Sequence, residues 1–127
     1  MPDKVIDASA MAALAFAEAG AGLVLDEIDG HRLHAPELLA YELMNVAWKR
    51  ARKQKGATTL FLESLEILAG LGVQYRSVDR RGVIVLGLAT GLTAYDASYL
   101  WLARSLGVPL VTLDRKLGRA FHAQAVY

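Results

Sequence analysis

Thr93–Leu117 reads TAYDASYLWLARSLGVPLVTLDRKL, and the fold is decided there. Thr93 is a natural N-cap with Asp96 three residues on, a capping box built with a shorter acid. Asp96, Leu100, Ala103 and Gly107 follow at i, i+4, i+7 and i+11, one face of an α-helix that is apolar except for its first member. Gly107 can supply the left-handed residue that ends the helix, and Pro109 prevents continuation. Leu110–Leu113 is then a short, β-rich strand covered on both faces. Asp114 stands at its carboxyl end. One carboxylate is thus expected at a helix start facing the core, and another just beyond a buried strand. Open α/β sheets form their sites outside the carboxyl ends of strands.

Working outward, Lys4-Val5-Ile6 predicts a first strand, ended by Asp7. Ser9 to Ala19 predicts a helix broken by Gly20 and Gly22. Glu18 is its only charged residue, so it must be deeply buried or covered by a partner. Leu23–Ile28 predicts a further short helix and His31–Ala35 a second strand, with Pro36 opening the longest helix, Glu37 to Gln54. Leu38, Glu42, Asn45 and Lys49 share one face of that helix, and Lys49, Arg50, Arg52, Lys53 and Lys55 crowd its end. A helix from Thr58 or Thr59 to Ala69, a third strand over Val73–Val78 and a helix Arg80–Ala89 capped by Asp79 follow. Leu117–Gln124 is expected to be helical and Ala125–Tyr127 to add an edge strand. Helices separating strands predict a single α/β domain over residues 1–127 with a mainly parallel sheet.

The bulk numbers agree with that reading. In 127 residues, 54% hydrophobic and 21% charged, there is enough apolar material for a core and too much for general disorder. No apolar run reaches membrane-span length, and the first residues lack a signal pattern. Without cysteine there is no disulfide framework, thiolate zinc site or cysteine nucleophile, as expected of a cytoplasmic protein. The formal net charge is only +1, so nucleic-acid binding would require a local basic patch.

Four acids carry the chemistry. Asp7 and Asp114 end core-type strands, and Asp96 starts a helix whose inner face meets the sheet. Taken alone, each reads first as a local device, Asp7 and Asp114 as helix caps and Asp96 as a favourable dipole charge. Glu42 does not, because it lies two turns inside its helix, where no free N–H groups remain; a salt bridge to Lys49 is its bland alternative. Together, like charges at one edge are tolerated mainly where a cation or a function requires them. Hard oxygen ligands in this number suit Mg²⁺ or Mn²⁺.

VIDAS (5–9), YELMNVAWKR (41–50), YDASYLWLA (95–103) and PLVTLD (109–114) resemble, in order, the four motifs of the PIN-domain ribonucleases, and among them the VapC-like toxins of toxin–antitoxin pairs. Each motif alone is weak; four in order are strong. The resemblance implies a metal site made by Asp7, Glu42, Asp96 and Asp114 with Ser9 and Asn45 as polar helpers. It further implies a sheet of order 3-2-1-4-5, metal-dependent endoribonuclease activity on RNA, a small antitoxin partner on the apolar first-helix surface, and a homodimer formed elsewhere. The basic residues Lys49, Arg50, Arg52 and Lys53 read either as phosphate contacts or as cations complementing a helix dipole. Arg115 and Lys116, beside Asp114, are the better candidates for the reacting phosphate. His31, His34 and His122 read as structural, and Tyr95, Tyr99 and Trp101 as core or interface. Two other readings compete. A signalling receiver domain would want paired acids after its first strand and a lysine after a late one, and Asp7 stands alone. An inactive PIN-like RNA-binding module is opposed by the intact set of acids.

Overall fold

The computed structural model describes residues 1–123. Four strands, β1 (Asp3–Ile6), β2 (Arg32–Pro36), β3 (Gln74–Arg76) and β4 (Leu110–Val111), form a parallel sheet in the order β3-β2-β1-β4. This matches the first four places of the expected order; the expected fifth strand at Ala125–Tyr127 lies outside the described residues. The register sets Val5 between His34 and Leu110, and Ile6 beside Val111. β1 and β4 are therefore neighbours and end at the same edge.

Seven helices are seen among the described residues: α1 (Ala8–Ala15), α2 (Ala21–Ile28), α3 (Leu38–Lys53), α4 (Thr58–Ala69), α5 (Arg80–Thr90), α6 (Ala94–Leu106) and α7 (Arg115–Ala123). α6 is the organising element, packed on β1, β2, β4, α5 and α7. Ala97, Tyr99, Leu100, Leu102 and Ala103 are buried along it. Its ends are built as the residues dictate. The Asp96 amide donates to Thr93 Oγ1 at 3.2 Å, and Gly107 closes the helix at φ +68°. α5 enters α6 through a 109° bend, which sets the start of α6 at the strand-end edge. No single helix among the described residues is long and apolar enough to cross a membrane.

Three local expectations are corrected. The first helix ends at Ala15, not Ala19. Phe16 turns out of it to meet Phe61 edge-on, with ring centroids 5.8 Å apart, and Ala17 takes φ +51°. Gly20 opens α2 rather than closing α1: its φ is +91°, and a Cβ there would stand 2.9 Å from Leu113 Cδ1. Gly22 lies inside α2. Pro36 ends β2 opposite Arg76 instead of opening the next helix; with no N–H to give, it suits the end of a ladder.

α1 is not a surface waiting for a partner. Met11, Ala12 and Ala13 are buried inside the chain, where α1 packs on α2, α3 and α4. The apolar surface left open nearby is on α2, at Leu23 and Leu25, 67% and 56% exposed. On one sheet face a polar ladder crosses three strands. Asp3 Oδ1 accepts from Arg32 Nε at 2.9 Å and from His34 Nε2 at 3.1 Å, while Arg76 Nε donates to His34 Nδ1 at 3.2 Å. The structural reading of His34 is right, but its acidic partner is 31 residues away and invisible to local spacing.

Because α6 positions everything around it, its cap is worth testing. Thr93→Ala should lower unfolding free energy by about 1 kcal/mol, read as a fall in the urea midpoint with the slope unchanged.

Candidate active site

Asp7 is the first residue after β1 and is only 4% exposed. Its Oδ1 accepts from the Ala10 amide at 3.0 Å and from Ser9 Oγ at 2.8 Å, and its Oδ2 accepts from Thr112 Oγ1 at 2.5 Å. The capping reading is therefore correct, and it coexists with the site reading. Burial pushes its carboxyl above the ordinary 3.8, Asp114 adds to this, and the bonds from Thr112, Ala10 and Ser9 oppose it.

Asp114 stands three residues beyond Val111 and caps α7, its Oδ1 accepting from the Leu117 amide at 2.9 Å. Its own amide donates to Thr112 Oγ1 at 3.0 Å. Thr112 is thus the joint between two acids, giving its proton to Asp7 and receiving the backbone of Asp114. Ser9 Oγ repeats the device, giving to Asp7 while accepting from the Leu113 amide at 3.0 Å.

Glu42, half-buried on α3, does not bond to Lys49. Its Oε1 accepts from the phenol of Tyr99 on α6 at 2.6 Å. Burial raises its carboxyl, Asp96 and Asp7 raise it further, and the Tyr99 bond opposes them. Burial and then the Glu42 bond push the phenol itself upward, so it remains a donor. Asp96 is raised by burial and next by Asp114, with Lys116 in opposition.

These couplings bring the four predicted acids together. Asp114 acts on Asp7 and on Asp96, and both of those act on Glu42. Among the described residues, no three acids or histidines are placed close enough to hold a metal ion as a group. A closed cage is not what the hard cations need. Mg²⁺ takes one or two carboxylates and keeps waters and substrate oxygens in its remaining positions. Lone pairs are available for this: no bond from the described residues reaches the Asp96 carboxylate, Glu42 Oε2 or Asp114 Oδ2. The donor set fits a hard divalent cation.

The other expected residues divide. Ser9 is in the cluster, while Asn45 is exposed on α3. Arg50 is committed elsewhere, paired with Glu18 and lying 5.0 Å from the Phe16 ring centroid. Arg52 stacks over Trp48 at 4.8 Å. Lys49, Lys53 and Arg115 are exposed, and Lys116 Nζ donates to the Gly91 carbonyl at 2.8 Å. Two residues at the site are not assigned to it by the sequence: Thr112, which is not singled out, and Tyr99, which reads as core or interface. Both carried a signal: Thr112 precedes Asp114 by two, the strand period, and Tyr99 follows Asp96 by three, on the same helix face. A pocket of about 530 Å³ between β2, β3, α5 and α6 is lined by Arg76, Val83 and Tyr95 but by none of the four acids.

Comparison with known proteins identifies the family. The PIN domain family matches residues 4–121. The chain belongs to that family, in its VapC-like branch. "Ribonuclease VapC3" of Pyrobaculum aerophilum is 36% identical over 124 residues, covering 94% of this chain and 95% of that protein. "Exonuclease VapC9" of the same organism is 33% identical over 117 residues, covering 91% and 83%. The crystal structure of PAE2754 from Pyrobaculum aerophilum superposes on this PIN domain with a TM-score of 0.75 at 27% identity, covering 98% of this chain and 88% of that one.

The raised carboxyl of Asp7 has a thermodynamic consequence. Above about pH 3.8 the unfolded chain has released a proton that the folded PIN domain still holds. In EDTA this residue's contribution therefore falls as pH rises from there through the raised value, then levels off. Asn caps nearly as well as Asp. Asp7→Asn should thus match or exceed the parent in stability at pH 7 and lose ground to it toward pH 4. Urea unfolding of both proteins in EDTA across that range checks this. A stability difference that does not vary with pH would refute it.

Proposed function

We propose that this PIN domain is a Mg²⁺- or Mn²⁺-dependent endoribonuclease and the toxin of a toxin–antitoxin pair. The observation that carries the reading is the mutual coupling of Asp7, Glu42, Asp96 and Asp114 at one sheet edge, an arrangement costly without a cation. The ribonuclease names of its relatives support the substrate class. Asp96 and Asp114 are half-exposed, as access to a polymer backbone requires.

In this reading the cation would be held among Asp7, Glu42, Asp96 and Asp114, with one or two of their carboxylates as direct ligands. When bound, it supplies positive charge at the scissile phosphate and eases deprotonation of a water. Asp96 or Asp114, each with unspent lone pairs, accepts the water's proton. The water oxygen attacks phosphorus in line and the P–O3′ bond breaks. A 5′-phosphate and a free 3′-hydroxyl result, with no part for a 2′-hydroxyl. Lys116 and Arg115 steady the phosphate, and Lys49 and Lys53, with Arg52 stacked on Trp48, receive the flanking strand. Arg50, already paired, contributes less to RNA than its neighbours.

The antitoxin lies over Leu23 and Leu25 of α2, and a homodimer mate covers a separate apolar face such as Ile84, Val85 and Leu88 of α5. The protein acts as a single domain in the cytoplasm, where RNA is found.

Purified, partner-free protein incubated with end-labelled structured RNAs tests the activity. Internal fragments with 5′-phosphates are expected with Mg²⁺ or Mn²⁺, and none with EDTA. Stepwise release of mononucleotides would instead show an exonuclease. Asp96→Asn keeps the helix start and loses the charge, so cleavage should fall by orders of magnitude with the circular dichroism spectrum unchanged. Cleavage at the parental rate in that variant at saturating metal would refute the assignment.

A further inference from the structure

Tyr99 is buried to 1% exposure in the most enclosed part of the core, yet its hydroxyl reaches Glu42, a residue 57 positions away on another helix. A phenol has one proton to donate, and here a half-buried carboxylate receives it at 2.6 Å. The ring is held by the α6 core, so the direction of that O–H is set by the same packing that sets the helix. Asp96 lies three residues before Tyr99, on the same face of α6. One rigid helix therefore presents one acid of the cluster and grips a second acid carried by α3.

We propose that Tyr99 is a positioning residue of the cation site, holding Glu42 by Oε1 so that Oε2 is the oxygen presented to the cation. This rests on the proposed metal-dependent reading of the site. Glu42 needs such a device more than its companions. Asp7 is held by three donors and Asp114 by the first turn of α7, and both are short side chains fixed next to strand ends. Glu42 has a longer side chain, lies in mid-helix and has Tyr99 as its one hydrogen-bond donor among the described residues. Partners that orient a metal ligand without touching the metal typically change affinity 10- to 100-fold when removed.

Calorimetric titration of the full chain with Mn²⁺ tests this, using the parent, Tyr99→Phe, Glu42→Gln and the double variant. Phe keeps the ring and removes only the hydroxyl. Tyr99→Phe should weaken Mn²⁺ binding about tenfold, and it should weaken it no further once Glu42 is Gln. Glu42→Asp gives a second view: its shortened carboxylate cannot keep the phenol bond at the same place, so Tyr99→Phe should add little to it. Unchanged Mn²⁺ affinity in Tyr99→Phe would overturn the proposal. So would an equal loss in the Glu42→Gln background, which would mark a packing effect that does not act through Glu42. A parent that binds no Mn²⁺ would overturn the metal site itself, and this inference with it. A parent that binds while Tyr99→Phe binds equally removes only the role of Tyr99.

Discussion

The pairing of β1 with β4 imposes the constraint on which this molecule depends. Once Ile6 lies beside Val111, the chain must leave both strands at one edge, and it leaves them through Asp7 and Thr112-Leu113-Asp114. Two carboxylates in each other's field would weaken that pairing if nothing else were present. The Thr112 hydroxyl and Ser9 hydroxyl offset the cost, since each gives a proton to Asp7 and takes a backbone amide from the segment after β4. The polar groups that make the site tolerable thus also fasten the two strand ends together. Charge-assisted bonds of this kind are about twice as strong as neutral ones.

α6 couples this edge to the rest of the fold. It packs on three of the four strands and brings Asp96 at its start and Tyr99 one turn on. α3 brings Glu42 from the other side. The site is consequently assembled from β1, α3, α6 and the turn after β4. Its integrity depends on helix-on-sheet packing as well as on that turn, and core packing resists small displacements.

Much of this was legible in the residues. Caps, strand ends and helix periodicity placed all four acids on the right elements, because each signal is local: Thr93, Gly107 and Pro109 bracket α6 without reference to the rest of the chain. What failed was non-local. Alanines permit a helix as far as Ala19, whereas at Phe16–Ala17 the chain turns to meet Phe61 of α4 and Arg50 of α3. Gly20 looked like a breaker, and its actual constraint is the approach of Leu113 from across the sheet edge. The basic run read evenly between solvated face and phosphate binding. Arg50 falls out of it through Glu18, a residue 32 positions earlier that no spacing rule connects to it. The strand order beyond simple parallelism came from family resemblance, since periodicity carries no information on which strands are neighbours.

The acids differ in how much the protein spends on them, and the deepest of them, Asp7, receives the most. Asp7, almost fully buried, accepts three hydrogen bonds; Glu42 and Asp114, half-buried, accept one each; Asp96 accepts none from the described residues. For Asp7 this is what desolvation demands, because a carboxylate withdrawn from water needs protein donors. The difference also separates two tasks within one cluster. The inner carboxylate is held by three donors, while the outer ones retain lone pairs that no described residue fills. Under the proposed hydrolysis the proton should therefore move at the rim, at Asp96 or Asp114, and not at Asp7, which already accepts from Ser9, Ala10 and Thr112 and keeps a lone pair only on Oδ2.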